Sequence, residues 1–415
     1  MLFDLSVRGH HPIYIRHLIK YWRDCPHSSA KGDRDLSGQL DIVVSPRFLV
    51  EHSDVVDFAR SYDRDNIKFI TITPAEEASL NSRKSRFKRV YRNFQEWKIL
   101  CNYAKKLQAS HCLVMYFDTC ELPLTLGVKS PCSFSGIYFR PTFYYGELTN
   151  YQPSWKERFQ QWRERLFLSR ILRHPNLENL FCLDAFAVKH LDEFNTHVKA
   201  IPLPDPIEIL TPSEFQVNNL KENLGIEANR KVLLLFGALT TRKGVNQLLD
   251  AIASLSPDLC QKICLMLVGE SNIQKQIDSQ IKVICQSKPI QIITRYEFVP
   301  EEEVQIYFHL ADFVLAPYQR HVGMSGILLQ AAAAQKPVLS SDYGLMGEIV
   351  RRYQLGLTVD STIPTEISKG LTRLLVEDTE KLCDRDRMKS FAQENSAQQF
   401  ASIIFQNIKQ NGLTQ

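Results

Sequence analysis

The stretch Ala311–Val350, ADFVLAPYQRHVGMSGILLQAAAAQKPVLSSDYGLMGEIV, decides the fold. It reads as strand (DFVLAP), glycine-bearing loop, alanine-rich helix (ILLQAAAA), strand (PVLSS), loop and helix. Continuous apolar strands alternating with helices predict a parallel sheet covered on both faces. The alternation extends outward on both sides. VLLLFG, ICLMLVG, IQIIT and GLTV complete a series of six strands around this stretch. Upstream, MLFDLSV, LDIVVS, IKFITI, CLVMYF, FSGIYF, LFCLD and KAIPL form a series of seven. That is too many strands for one compact sheet, so two α/β domains are expected.

The boundary is visible in IPLPDPIEILTP (Ile201–Pro212), which holds four prolines in twelve positions and suits neither a helix interior nor a central strand. The expected domains are 1–203 and 204–385. Residues 386–415, whose Phe391, Phe400, Ile403, Ile404 and Ile408 recur at helical spacing, are expected to return toward the first domain.

Composition sets the class. The chain has 415 residues, 44% hydrophobic and 23% charged, which excludes a disordered, collagen-like or coiled-coil protein. No apolar run approaches the ~20 residues of a membrane span, and the start, MLFDLSVRGHHP, lacks the pattern of a secretory leader. The ten cysteines stand singly, most within apolar runs and without a CxxC pair, so buried reduced thiols are expected. A cytoplasmic protein is the resulting expectation.

Function is expected at the second domain's strand ends. VLLLFG ends in Gly237, then come ALTTRKG and the helix VNQLLDAI. A helix N-terminus after such a turn attracts phosphate, and Arg242 and Lys243 would add charge. A solvated Arg–Lys pair on a loop is the plain alternative. Gly323, Ser325 and Gly326 stand at the entry of ILLQAAAA, and Gly344 and Gly347 are read as preceding a third helix start. Three anion-competent helix N-termini at one sheet edge point to a nucleotide diphosphate site.

Between Val232 and Leu357 the order FGxLxxRKG, LVG, FVPxEEVxxYFxxADFVLAPY, GxSGxLLQAAAAxKPV, GxxGEIV, GL resembles the nucleotide-sugar half of GT-B glycosyltransferases of family 4. The resemblance implies two Rossmann-like parallel-sheet domains facing across a cleft. It also implies metal-independent sugar transfer from a nucleoside diphosphate donor with retention of configuration. Lys243 falls on that family's diphosphate-binding lysine. The family's arginine directly after the phosphate-turn glycine is Ala238 here, with Arg242 as the substitute. Of its two glutamates eight apart, the ribose-side one is Gln330 and the sugar-side one falls at His321 or Val322.

In the first domain, MLFDLSV ends in RGHHPIYIRHLIKYW. Gly9 allows a tight turn, and His10 and His11 open the first helix, where a histidine could donate to the leaving oxygen or to an acceptor hydroxyl. The alternative is one capping and one solvated histidine. Asp118, after CLVMYF, is either an acceptor-side base or hydroxyl ligand, or a cap for DTCELPLTL; FSGIYFRP ends near Arg140 at the same edge. Three DRD tripeptides (Asp33/Asp35, Asp63/Asp65, Asp384/Asp386) lie in polar or charged stretches and are read as solvated surface, with no metal expected.

The formal charge of +4 is unevenly spread. Arg83–Arg92 carries six cations and no acid, Trp155–His174 six cations and two acids, and the remainder sums to −6. The second segment reads as a basic amphipathic helix suited to an anionic membrane, or as a surface helix packing its aromatic side inward. No nucleic-acid module is present. The expectation is a glycosyltransferase without cofactor, acting on a glycan, lipid-linked or small-molecule acceptor, cytoplasmic or peripheral on the membrane's inner face. A catalytically degenerate GT-B binding protein, motivated by Ala238 and Gln330, and a sugar-nucleotide epimerase or phosphorylase are the alternatives.

Overall fold

Every strand pair in the computed structural model is parallel, as continuous apolar runs separated by helices require. Residues 1–24, 38–61, 66–80, 86–148 and 150–409 are described. They form two units: 1–144, 153–206 and 397 onward in the first, 145–152 and 207–396 in the second.

The first unit holds seven strands: β1 (Leu2–Asp4), β2 (Leu40–Val44), β3 (Ile67–Thr71), β4 (His111–Val114), β5 (Ser133–Tyr138), β6 (Leu177–Cys182) and β7 (Lys199–Pro202), in the order β3-β2-β1-β4-β5-β6-β7. The prolines of the 201–212 stretch begin in β7, an edge strand, where a missing amide costs the ladder little. The last helix, Ala397–Lys409, belongs to this unit. Phe400, Ala401, Ile404 and Phe405 lie in its core, and Tyr14 and Trp22 of the helix His11–Asp24 meet Phe400 and Phe405 at 5.0 and 5.1 Å between ring centroids.

The second unit holds β8 (Lys231–Phe236), β9 (Ile263–Val268), β10 (Gln291–Arg295), β11 (Phe313–Ala316), β12 (Val338–Ser341) and β13 (Gly356–Val359), in the order β10-β9-β8-β11-β12-β13. The helix Arg385–Glu394 stays here, with Phe391 4.3 Å from the Tyr353 ring, so the return to the first unit begins after Ser396 rather than at 386. The excursion 145–152 also belongs here: Asn150 donates to Asp342 at 3.0 Å, and Tyr151 meets Tyr343 edge-on at 5.5 Å.

All four tryptophans (Trp22, Trp97, Trp155, Trp162) fall in the first unit, so their fluorescence reports its unfolding alone. Replacing fully buried Phe400 by Ala is expected to lower that unit's unfolding free energy by about 3–5 kcal/mol. Denaturant titration followed by tryptophan emission checks it.

Candidate functional site

In the second sheet the chain runs outward through β8, β9 and β10, then returns to lay β11 beside β8. Strand order reverses between β8 and β11, and the loops leaving their carboxyl ends flank the crevice where open α/β sheets take ligands. After β8 the chain turns through Gly237 (φ +95°), a short 3₁₀ turn Thr241–Lys243 and Gly244 (φ +75°), then enters the helix Val245–Ala253. A Cβ on Gly244 would stand 2.0 Å from the carbonyl oxygen of Pro317, so the two loops meet backbone to backbone only because this residue is glycine.

Between the loops lies Lys243, only 5% exposed. Its ammonium donates to the Phe236 carbonyl at 2.8 Å and to the Tyr318 hydroxyl, and sits 4.4 Å from the centroid of the Tyr318 ring. Among the described residues no carboxylate acts on it; burial, and then the neighbouring Arg242 charge, pull its pKa down to about 7. The Tyr318 hydroxyl also meets Ser325 Oγ at 3.0 Å, and burial pushes that phenol up to about 12. Arg242 is exposed, stacks 5.5 Å from the Tyr318 ring and lies 3.3 Å from His321 Nδ1. His321 Nε2 stands 3.1 Å from the Met324 carbonyl, so the imidazole fits its Nε2–H tautomer, donating to Met324 and accepting from Arg242. Lys243, Arg242, His321, Ser325 and Tyr318 are thus one connected group. Tyr318 joins it without having been singled out in the sequence, where a tyrosine after an apolar strand reads as core.

The three helix starts differ. The helix Gly326–Ala333 has Ser325 at its N-cap in extended conformation with no side-chain cap, and Gly244 likewise gives Val245–Ala253 none, so first-turn amides are available to an anion. The third helix begins at Gly344, so Gly344 and Gly347 lie within its first turn rather than before it. Its Leu345 amide already donates to the Val322 carbonyl at 2.8 Å, and a Cβ on Gly347 would stand 2.1 Å from the Asp342 carbonyl oxygen. One first-turn amide of that helix is thus taken by the loop after β11, while Gly323 lies in that same loop beside His321. Gln330 accepts from the amide of buried Gln305, which leaves its own NH₂ as the group to offer a ligand. Gln305 was legible only as one more residue of a helix.

The first unit has its own strand-end group. Gly9 turns the chain (φ +72°), His10 is exposed, and His11 is buried with Nδ1 2.8 Å from Asp4 Oδ2. The ring stacks on Phe139 at 5.4 Å and meets Tyr116 edge-on at 5.3 Å. Burial works to lower the His11 pKa, but the Asp4 hydrogen bond and the Asp4 and Asp118 charges outweigh it, so it is raised. Asp118 does not cap the following helix. Its oxygens accept from the amides of Phe139 (3.0 Å) and Arg140 (3.1 Å), while burial pushes the carboxyl up to about 6. A pocket of about 90 Å³ at the ends of β1 and β4 is lined by Asp4, Arg92, Glu96 and Tyr116 among others.

Asp384 caps the helix Arg385–Glu394, accepting from the Arg387 amide at 3.0 Å; the other two DRD tripeptides lie outside the described residues.

Residues 216–395 match the family model of the group 1 glycosyl transferases. A D-inositol 3-phosphate glycosyltransferase of Corynebacterium diphtheriae is 28% identical over 200 residues, 46% of this chain and 45% of that one. A lipopolysaccharide 1,2-N-acetylglucosaminetransferase of Salmonella typhimurium is 29% identical over 198 residues, 44% of this chain and 50% of that one. The chain thus spans about half the length of the curated relatives it matches. Among solved structures, Anabaena Alr3699/HepE in complex with UDP aligns with a TM-score of 0.64 at 14% identity over 99% of both chains. Sucrose-phosphate synthase of Thermosynechococcus elongatus aligns with a TM-score of 0.64 at 13% identity, covering 99% of this chain and 98% of that one. These likenesses show a shared fold, the two-unit GT-B fold of such glycosyltransferases.

Tyr318→Phe removes a hydroxyl that serves both Lys243 and Ser325. A loss of about 1–3 kcal/mol in the second unit is expected, the cost of leaving buried polar groups without a partner. Faster amide hydrogen exchange in 237–244 and 317–325 measures it.

Proposed function

We propose, from the premise that residues 216–395 belong to the group 1 glycosyl transferases, that this protein moves a sugar from a nucleoside diphosphate sugar to an acceptor oxygen. The observation that carries the reading is Lys243, a buried amine with no carboxylate partner among the described residues, at the switch point of the second sheet. A diphosphate arriving there supplies the missing anion. The amine then takes up a proton, and its charge opposes the negative charge that builds on the leaving diphosphate as the glycosidic bond breaks. Arg242, braced by Tyr318 and His321, supports a second contact to the same phosphates. The uncapped amides at Ser325–Gly326 and the adjoining Gly323 backbone suit the remaining oxygens. The Gln330 NH₂ is matched to a ribose hydroxyl. These side-chain and backbone charges support a reaction that needs no metal ion, and the family resemblance supports retention at the anomeric carbon.

On the acceptor side the reading rests on His11. Its raised pKa strengthens its hold on a proton, and the imidazolium keeps Nδ1–H on Asp4 and has Nε2–H to donate to an acceptor oxygen. Asp118 acts as a positioning residue, holding the 139–140 backbone and adding negative charge near the imidazole.

A thermal-shift panel of UDP, GDP, ADP and their sugars is expected to raise the melting temperature with at least one base. No response from any of them overturns the donor site. With the responding donor, Lys243→Ala is expected to reduce transfer or donor hydrolysis by about 10²–10³-fold. Binding without turnover in the unmodified protein favours the degenerate binding protein, and conversion of the donor without acceptor favours an epimerase.

The same lysine gives a pH signature. Its free pKa near 7 leaves the amine mostly neutral at pH 8, and bound diphosphate raises it toward its ordinary range. Binding of a nucleoside diphosphate sugar at pH 8 is therefore expected to take up about one proton. The uptake should fade below pH 7 and vanish in Lys243→Met. Calorimetry in buffers of different ionisation enthalpy reads it directly.

A further inference from the structure

We propose that the helix Trp155–Ile171 docks this protein on an anionic lipid bilayer through a fixed stripe of aromatic side chains. In the structure Trp155, Phe159, Trp162 and Leu166 are 75, 58, 61 and 40% exposed. At about 100° per residue these four positions fall within an arc of roughly 60° on one face of the helix. The Phe159 and Trp162 rings lie 5.8 Å apart, so the stripe is continuous.

The opposite face explains why the stripe points outward. Leu168 and Ile171 are buried in the first unit, and between them in angle lies Glu164. That carboxylate accepts from the Tyr138 and Thr142 hydroxyls and from the Thr142 and Phe143 amides, at 2.8 and 3.3 Å for the latter two. A buried acid with this many donors cannot rotate away, so the helix is clamped with its aromatic side to solvent. The basic segment is therefore not a one-sided amphipathic helix, and its exposed aromatic side does not pack inward as an ordinary surface helix would.

Charge complementarity selects the occupant. Arg158 and Arg165 flank the stripe on one side, and Lys156, Arg163 and Arg170 on the other, all exposed. Of the helix's two acids, Glu164 is buried and Glu157 closes the capping box with Ser154. Arg165 also reaches Glu193 at 3.1 Å; the other four cations make no ion pair with a described carboxylate. Tryptophan and phenylalanine between two rows of long cationic side chains match a headgroup boundary, where rings enter the acyl edge and cations meet phosphates. The basic segment 83–92 lies partly outside the described residues. The docking surface does not depend on the transferase reading, and lipid binding and donor binding are measured separately.

Co-sedimentation of the full chain with vesicles tests the proposal. Binding is expected to equimolar phosphatidylcholine–phosphatidylglycerol vesicles and to be at least about tenfold weaker to phosphatidylcholine alone. Trp22 and Trp97 are buried, so a blue shift on binding reports Trp155 and Trp162. The double variant Phe159→Ser, Trp162→Ser should lose about tenfold or more in vesicle affinity while keeping the far-ultraviolet circular dichroism and melting temperature of the parent. Arg158→Gln and Arg163→Gln should each weaken binding about fivefold and flatten its salt dependence. Equal binding to both vesicle types, or binding that survives the aromatic double variant, overturns the proposal. So does a parent that ignores vesicles but self-associates in sedimentation equilibrium through Phe159 and Trp162, which would make this face an interface between copies.

Discussion

An ammonium ion held out of water with no carboxylate beside it among the described residues is the constraint on which the second unit's strand-end geometry depends. Desolvating such an ion costs several kcal/mol, and the cost shows as the fall of the Lys243 pKa to about 7. Arg242 adds to that cost, and the groups that accept from Lys243 limit it without neutralising it. The Phe236 carbonyl and the Tyr318 hydroxyl accept from it, and the Tyr318 ring lies beneath it. Tyr318 is itself fixed by Ser325, and by the Ser361 hydroxyl, which donates to its carbonyl at 2.7 Å. Gly244 lets the loop bearing Lys243 lie against Pro317. A carboxylate at this place would have stabilised the apo protein and occupied the position that an incoming anion needs.

His11 presents the opposite case in the first unit. Its burial is offset by a carboxylate, so proton affinity rises where that of Lys243 falls. The Lys243 amine falls to about 7 while the His11 imidazole rises above its ordinary value, and each shift follows from the charges and burial around it. Both also stand where strands end at the carboxyl edge of their sheets, the position that α/β folds reserve for ligands.

The fold was legible because parallel strands buried on both faces are written as unbroken apolar runs. All thirteen runs found in the sequence are strands among the described residues. Arg242, Lys243, Ser325 and His321 could be found because a glycine turn and a helix start bracket them. Tyr318 and Gln305 could not, since each differs from a core or surface residue only through its partners. The identity of those partners is a property of the crossing loops, not of local sequence. Asp118 was legible as a strand-end acid, but its acceptors' donors come from Phe139 and Arg140, twenty-one and twenty-two residues later. Where the last crossing occurs was equally hidden, because Phe391 and Phe400 belong to one helical pattern and pack in different units.

The helix Trp155–Ile171 shows a further limit of periodicity. A helix with one apolar stripe declares which side faces the core, whereas this one has apolar groups on two opposite sides, and their contributions cancel. What breaks the tie is a single buried acid. Glu164 stands among Leu168 and Ile171, and its four donors come from Tyr138, Thr142 and Phe143. A glutamate in a basic helix reads as a surface charge in sequence, yet here it is the residue that turns Trp155 and Trp162 toward water. The molecule therefore uses charge in two contrary ways. In the second unit a cation is withheld from solvent so that a ligand must supply its counterion. In the first an anion is withheld so that cations and aromatic rings are left on display, and each arrangement leaves an unmet demand whose chemistry identifies what should meet it.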